Sequence, residues 1–375
     1  MGRITVIAPR MPPRHDGLGA YVVQLWQSIF SDYSETSSLD ISRGWSFLLM
    51  EAADQSQELF PKSKIKQMPK TAVQLAAELE TLESEKVILQ FVGYGFDRKR
   101  GIAAFLAEGL KIWLNGQPNR RLFIMFHELW VDDAKFWQRT YWNAILQKRT
   151  VAELLSLAKV SVTSNEYYVS RLQSLCSTAK ITVIPIGSNF QCAPAPVRDW
   201  KCLSIFGLTR LHCIKQHANL LNAMSRNALL NTIVLAGSTR DKRQNEEKAL
   251  IEKLCPGVSI QYAYDFDLNQ VPENLKNCGL ALMDVHSQLL AKSGRFQIAC
   301  ALGQVPIASH SSPPGSPLIR GENFFDYNPE NTELFLTELK DESALAEIST
   351  NSLKLSNTYF SWSNIAKLWT DALDV

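Results

Sequence analysis

Several short stretches of this chain combine residue types and spacings that could hold an anion or move a proton. In FGLTRLHCIKQ, Arg210 and Lys215 lie between an apolar run ending near Phe206 and a helical pattern beginning near Gln216. An arginine offers a planar fork of donors and a lysine a compact point charge, so the two together suit charge developing on a departing group. On spacing alone they are also readable as two solvated surface cations. In LLAKSGRFQIACALGQVPIAS, Lys292, Ser293, Gly294 and Arg295 directly precede a helical run from Phe296 to Leu302. A helix N-terminus behind a small basic loop binds anions through its free N–H groups. An ordinary capped helix is the plainer alternative.

The first half of the chain adds a possible proton donor and acceptor. RLFIMFHELW places His127 and Glu128 at the end of an apolar strand pattern, where reacting groups sit in parallel sheets. Asp16, Gly17 and Gly19 in HDGLG form a loop after the first strand, with glycines that permit close backbone approach and positive φ before a helix from Tyr21. Tyr94 stands between two glycines in LQFVGYGFDRKRG, again just after a strand. Asp265-Phe266-Asp267 has a spacing that can hold a divalent metal, but it follows a strand of the second half, and no other carboxylates cluster at ligand spacing. No metal site is therefore expected.

These groups need a scaffold, and the pattern of apolar runs supplies one. Short strands are predicted at Arg3–Ala8, Ser46–Met50, Val87–Phe91, Leu122–Phe126, Val160–Thr163 and Ile181–Ile184, with helical periodicity between most of them. The text from Ser188 to Trp200 bears prolines and lacks periodicity, as a connection between domains would. Five further strands follow, at Leu203–Phe206, Thr232–Leu235, Ser259–Tyr262, Leu280–Met283 and Val305–Ala308. Trp362, Ile365, Leu368, Trp369 and Leu373 then mark a closing amphipathic helix. Alternation of this kind predicts an α/β chain of two doubly wound parallel-sheet domains, residues 1–190 and 191–360, with 361–375 as the closing helix. Two such domains facing one another would enclose an interdomain cleft.

On these motifs the chain resembles glycosyltransferase family 4, within the GT-B class, and in particular a divergent bacterial subgroup. Family members carry Gly-Arg-Leu-x-x-x-Lys-Gly at the first turn of the donor domain, and here Arg210-Leu211 and Lys215 match while Thr209 and Gln216 replace the glycines. The resemblance implies that Arg210 and Lys215 hold the donor diphosphate. The common family pattern has two glutamates eight apart before a Gly-x-x-Pro turn; this chain keeps the turn as Gly303-Gln304-Val305-Pro306, but Leu290 and Ile298 occupy the acidic positions. The subgroup instead shows a short basic, serine and glycine sequence, which Lys292 to Arg295 resembles. His127 resembles a family histidine that contacts the donor sugar, and Glu128 is a candidate to orient it or to bind acceptor. Gly17 and Gly19 match the glycine loop facing the donor phosphates, with Asp16 beside them. Tyr94 is placed on the acceptor side and Glu322-Asn323 near the donor. VTSNEYYVSRL, ITVIPIGSN and the tryptophan helix extend the likeness over nearly the whole chain.

The activity so implied is transfer of a sugar from a nucleotide-diphosphate sugar to an acceptor, with retention of configuration, without metal and without a cofactor beyond the donor itself. Two rivals stay open: a sugar-nucleotide epimerase or phosphorylase on the same fold, and a catalytically silent GT-B subunit that binds sugar or a partner. Composition narrows the field further. With 375 residues, 46% hydrophobic and 20% charged, this is a globular chain of two-domain size, and a formal net charge of +2 argues against nucleic acid as partner. Seven cysteines at irregular spacing form neither a disulfide framework nor a zinc array. With no apolar signal region after Met1 and Val6 where a myristoylation signal wants Ser or Thr, a cytoplasmic protein is expected. Lys62, Lys64, Lys66 and Lys70 form a basic run, expected as an exposed loop, with peripheral contact to anionic lipid as the alternative.

Overall fold

The computed structural model describes residues 3–12, 17–36, 45–51, 60, 64–131, 135–188, 197–237, 241–265 and 271–373. It divides into two compact units, one of Met1–Pro185 with Trp362–Val375 and the other of Ile186–Ser361. The boundary thus precedes the proline-bearing connection expected at Ser188–Trp200, whose residues 189–196 lie outside the described residues. The closing helix belongs to the first unit.

The first unit is a seven-stranded parallel sheet. Its strands are β1 (Ile4–Arg10), β2 (Trp45–Glu51), β3 (Lys64–Gln67), β4 (Lys86–Phe91), β5 (Arg121–Phe126), β6 (Val160–Thr163) and β7 (Ile181–Val183), in the order β3-β2-β1-β4-β5-β6-β7. Central strands such as β4 (KVILQF) and β5 (RLFIMF) are apolar nearly throughout because helices cover both faces of a parallel sheet. The edge strand β3 (KIKQ) is exposed instead, so the expected basic loop is corrected to a short edge strand at Lys64 and Lys66. Lysine on an edge opposes pairing with another chain, and Lys66 binds Glu78 at 2.6 Å. Lys70 is exposed, and Lys62 lies outside the described residues.

Helix Trp362–Leu373 packs on helix Gly17–Thr36. Trp369 is fully buried beside Trp26, and its indole N–H donates to the Tyr21 hydroxyl at 2.8 Å. Lys86 Nζ donates to the Leu373 carbonyl at 2.6 Å, tying the helix end to β4.

The second unit repeats the plan with six parallel strands: β8 (Asp199–Phe206), β9 (Thr232–Gly237), β10 (Ser259–Tyr264), β11 (Cys278–His286), β12 (Val305–Ser309) and β13 (Phe325–Tyr327), ordered β10-β9-β8-β11-β12-β13. Its core joins Leu203, Ile205, Ile233, Leu235 and Leu280 to helices Arg210–Gln216, Ala218–Arg226 and Glu342–Asn357. In each sheet the order reverses beside the first strand, at β1/β4 and at β8/β11. Ligand crevices open beyond the carboxyl ends of strands at such a reversal. Among the described residues, no helix is long and apolar enough to cross a membrane.

Candidate functional site

The reversal point of the second unit is built from two glycines, an ion pair and a helix start. Gly207 follows β8 at φ +110°, and Gly237 ends β9 at φ +108°, conformations that L side chains rarely adopt. The two glycine backbones touch: a Cβ on Gly237 would lie 3.2 Å from Gly207 N, and one on Gly207 would lie 3.1 Å from Arg295 Cδ. The Arg295 side chain therefore lies across Gly207. Its guanidinium donates to Thr209 Oγ1 at 2.9 Å and pairs with Asp284 near the end of β11.

Arg295 is in the first turn of helix Gly294–Ala301, whose cap is Ser293. The Ser293 hydroxyl accepts from Phe296 N at 3.3 Å, leaving the N–H groups of Gly294 and Arg295 without a hydrogen-bond partner among the described residues. Nothing lies within 4 Å of where a Cβ on Gly294 would be. Here a pocket of about 530 Å3 opens, lined by Asp284, His286, Lys292, Ser293, Gly294 and Arg295 together with Ile298 and other apolar side chains. Ile298 thus presents a hydrocarbon to the pocket, while Leu290 is buried in the core. The helix ends at Gly303, φ +65°, whose N–H reaches the Cys300 carbonyl, so the Gly303-Gln304-Val305-Pro306 turn is the helix stop leading into β12.

Arg210 and Lys215 do not act as one pair. Arg210 is buried at 3% exposure. Its Nε donates to Glu247 at 3.3 Å, and its Nη1 to the carbonyls of Gly207 at 2.6 Å and Ala236 at 3.1 Å, while its guanidinium lies 4.8 Å from the Tyr264 ring centre. Its charge is thus paired with Glu247 inside the unit, and Nη1 is held by two backbone carbonyls. Burial among these groups pushes the Tyr264 hydroxyl up to about 12. Lys215 is exposed; five residues on a helix turn the side chain by roughly 140°, away from the Arg210 face.

Several polar groups at the same ends of the strands were not singled out from sequence. His217 is buried, with Nε2 at 3.2 Å from both the Met283 carbonyl and Ser309 Oγ, and Gln216 Nε2 donates to the same hydroxyl at 2.8 Å. Burial pushes the His217 pKa below its ordinary value, against smaller opposing effects of the Met283 carbonyl and Asp284. Beyond β12, His310 Nδ1 meets Asp326 at 2.7 Å; Asp326 also accepts from Arg320, which forks onto Glu338. Asp284 and Glu247 carried no signal in the sequence except as lone carboxylates, since their partners lie 11 and 37 residues away.

Other expected residues scatter. Asn323 is buried and braces its own loop, accepting from Ile319 N at 3.1 Å and donating to the Pro317 carbonyl at 3.1 Å; Glu322 is exposed beside it. In the first unit, Gly17 and Gly19 form the first turn of helix Gly17–Thr36 and neither adopts positive φ, which corrects the expected glycine loop. Asp16 lies outside the described residues. His127 follows β5, buried, with Nε2–H donating to Gln90 Oε1 at 2.7 Å and its ring edge-on to Tyr21 at 4.9 Å. Gln90, from β4, holds the ring, and Glu128 is exposed beside it in sequence, with no hydrogen bond or ion pair among the described residues. Tyr94 is partly exposed, stacked on Gly101, with its hydroxyl accepting from Gln147 at 3.3 Å. Among the described residues, no group of three or more His, Cys, Asp or Glu is placed to hold a metal.

No protein-family model matches the chain, and no curated protein does. Solved structures match over its length. Anabaena Alr3699/HepE, crystallised in complex with UDP and glucose, superposes with a TM-score of 0.64 at 14% identity, covering 100% of both chains. Sucrose-phosphate synthase from Thermosynechococcus elongatus gives 0.67 at 13% identity over 100% of this chain and 98% of that one. The lipopolysaccharide outer core galactosyltransferase WaaB in its apo form gives 0.64 at 13% identity over 99% and 98%. At these identities the likeness is one of fold.

Proposed function

On a chain with the GT-B fold of two Rossmann-like units, we propose a glycosyltransferase that takes its sugar from a nucleotide-diphosphate donor bound at the β8/β11 reversal point. The observation that carries this reading is the pocket at Gly294, where two unpartnered N–H groups open a helix between Lys292 and Arg295. Donors of this kind, fixed before the reaction, stabilise the diphosphate as the glycosidic bond breaks and negative charge collects on its oxygens. That HepE was crystallised in complex with UDP-glucose supports a uridine donor as the first to test.

In this reading Lys292, Ser293, Gly294 and Arg295 hold the diphosphate, and Lys215 adds charge from the rim. Arg210 is a positioning residue that fixes the Gly207 and Gly237 turns. His127, held by Gln90, and the exposed Glu128 and Tyr94 are assigned to the acceptor side. Transfer proceeds with retention, the departing phosphate oxygen taking the acceptor proton, and without metal. Should the product be inverted instead, Glu128 or His127 must act as base.

The decisive experiment is a thermal-shift series with UDP-, GDP- and ADP-sugars followed by anomer analysis of any product. A ligand that binds only the folded state raises its stability, by about 2.7 kcal/mol at a hundredfold excess over Kd. Absence of any shift would sink the donor assignment. The apolar Leu290 and Ile298 and the buried Arg210 favour a second reading, a GT-B subunit that binds nucleotide sugar without turnover. Binding with no product in either anomer, with and without EDTA, would select it.

A further inference from the structure

Helix Arg139–Leu157 of the first unit buries one face, including Ala144, Gln147, Val151 and Leu154, against the unit. The exposed side of its first two turns is largely apolar where a solvated face would be polar. Fourteen large apolar side chains are exposed among the described residues, and six of them fall in one short stretch: Phe136, Trp137, Tyr141, Trp142, Ile145 and Leu146. Phe136, Trp137 and Trp142 are each more than 60% exposed. Tyr141 and Ile145, like Trp142 and Leu146, are four apart, so they stack along one side of the helix.

The charges among the aromatics are cationic, with Arg149 at the far end paired to Glu153 at 3.0 Å. Between Lys135 and Arg149 the sequence carries four cations and no carboxylate; Asp132 and Asp133, which precede it, lie outside the described residues. Lys135 Nζ lies 5.3 Å from the Trp137 ring centre, and Arg171 and Lys148 flank Trp130 at 4.3 and 5.3 Å, which widens the basic rim. Trp and Tyr, with an apolar ring and a polar handle, favour the headgroup zone of a bilayer, and nearby cations favour anionic lipids.

We propose that the stretch 135–149 is a membrane-docking face that lays its aromatic side into the headgroup region of an anionic bilayer. The surface is distinct from the basic run at Lys64, Lys66 and Lys70, which has no exposed aromatic beside it in sequence. It is independent of the donor pocket, which belongs to the other unit.

Co-sedimentation of the full chain with vesicles of phosphatidylglycerol and phosphatidylcholine in equal parts tests this. The wild-type chain is expected to bind them, to bind pure phosphatidylcholine far more weakly, and to dissociate as salt is raised. Trp137→Ser with Trp142→Ser should lower partitioning by about tenfold or more, and Lys135→Glu with Arg139→Glu by about fivefold per cation. Both doubles should melt with the wild type, because these side chains are exposed. Lys64→Glu with Lys70→Glu should bind as the wild type does. The proposal is overturned if the wild type ignores anionic vesicles, if the Lys64 and Lys70 variant loses binding while the aromatic variant keeps it, or if light scattering shows a dimer that the tryptophan variant dissociates.

Discussion

At the scale of single residues, the pocket separates binding from folding. Gly294 has open space where a side chain would go and does not need positive φ, so Gly294→Val should change stability by no more than about 0.5 kcal/mol. The same branched side chain would stand over the two free N–H groups. Loss of charge-assisted hydrogen bonds to a phosphate corresponds to about tenfold or more in affinity. Isothermal titration with the nucleotide sugar that shifts the melt should show that loss, and unchanged affinity would remove the helix start from the donor site. His217 offers a prediction in pH. Its folded pKa lies below the ordinary 6.5 because it is buried, so on acidification the unfolded chain takes up the proton first. Its contribution is intact above about 6.5 and is lost as pH falls below that value towards the folded one. His217→Asn should flatten the fall of Tm over that window relative to the wild type; parallel curves would show that His217 titrates equally in both states. The Ser293-capped helix start was legible in sequence because Lys, Ser, Gly and Arg stand together before an apolar helical run. Asp284, Glu247 and His217 were not, because nothing local pairs them with residues that meet them only once β9 and β11 flank β8.

At the scale of elements, every strand but two was readable, including the partly exposed edge strands β7 and β10. β4, β5, β9 and β12 are mainly apolar, whereas β3 and β13, three or four residues at sheet edges, carry too little pattern to stand out. The burial of Arg210 was hidden for a related reason: a sequence shows a cation but not its neutralising partner. In the fold, that guanidinium joins the ends of β8 and β9 to helix Asp241–Leu254 through Glu247, which is 1% exposed. Removing one member of such a pair strands the other charge in the interior, at about 3–5 kcal/mol. Arg210→Ala should therefore unfold in urea well before the wild type, whereas Arg210→Met with Glu247→Leu should recover most of the loss, since an apolar replacement of a buried pair is often neutral. An Arg210→Ala chain as stable as the wild type would return the residue to the role of an open cation.

At the scale of the whole molecule, the two units differ in how the chain builds them. The second is continuous from Ile186 to Ser361, with its own six-stranded sheet and core, whereas the first is completed only when Trp362–Val375 returns to it. The pocket at Gly294 lies wholly within the continuous unit. A fragment of residues 186–361 is therefore expected to fold alone and to keep the thermal shift produced by nucleotide sugar, while sugar transfer requires the full chain. Residues 1–185 alone should not reach their full stability. They lack Trp369, whose burial beside Trp26 and hydrogen bond to Tyr21 are of a kind that contributes about 3–5 kcal/mol when a core aromatic is deleted. Adding a peptide of residues 362–375 should restore part of the lost melting temperature. If instead the 186–361 fragment folds cooperatively yet gives no shift with any nucleotide sugar that stabilises the full chain, the donor does not rest on the Gly294 turn alone, and the proposed division of labour between the units is wrong.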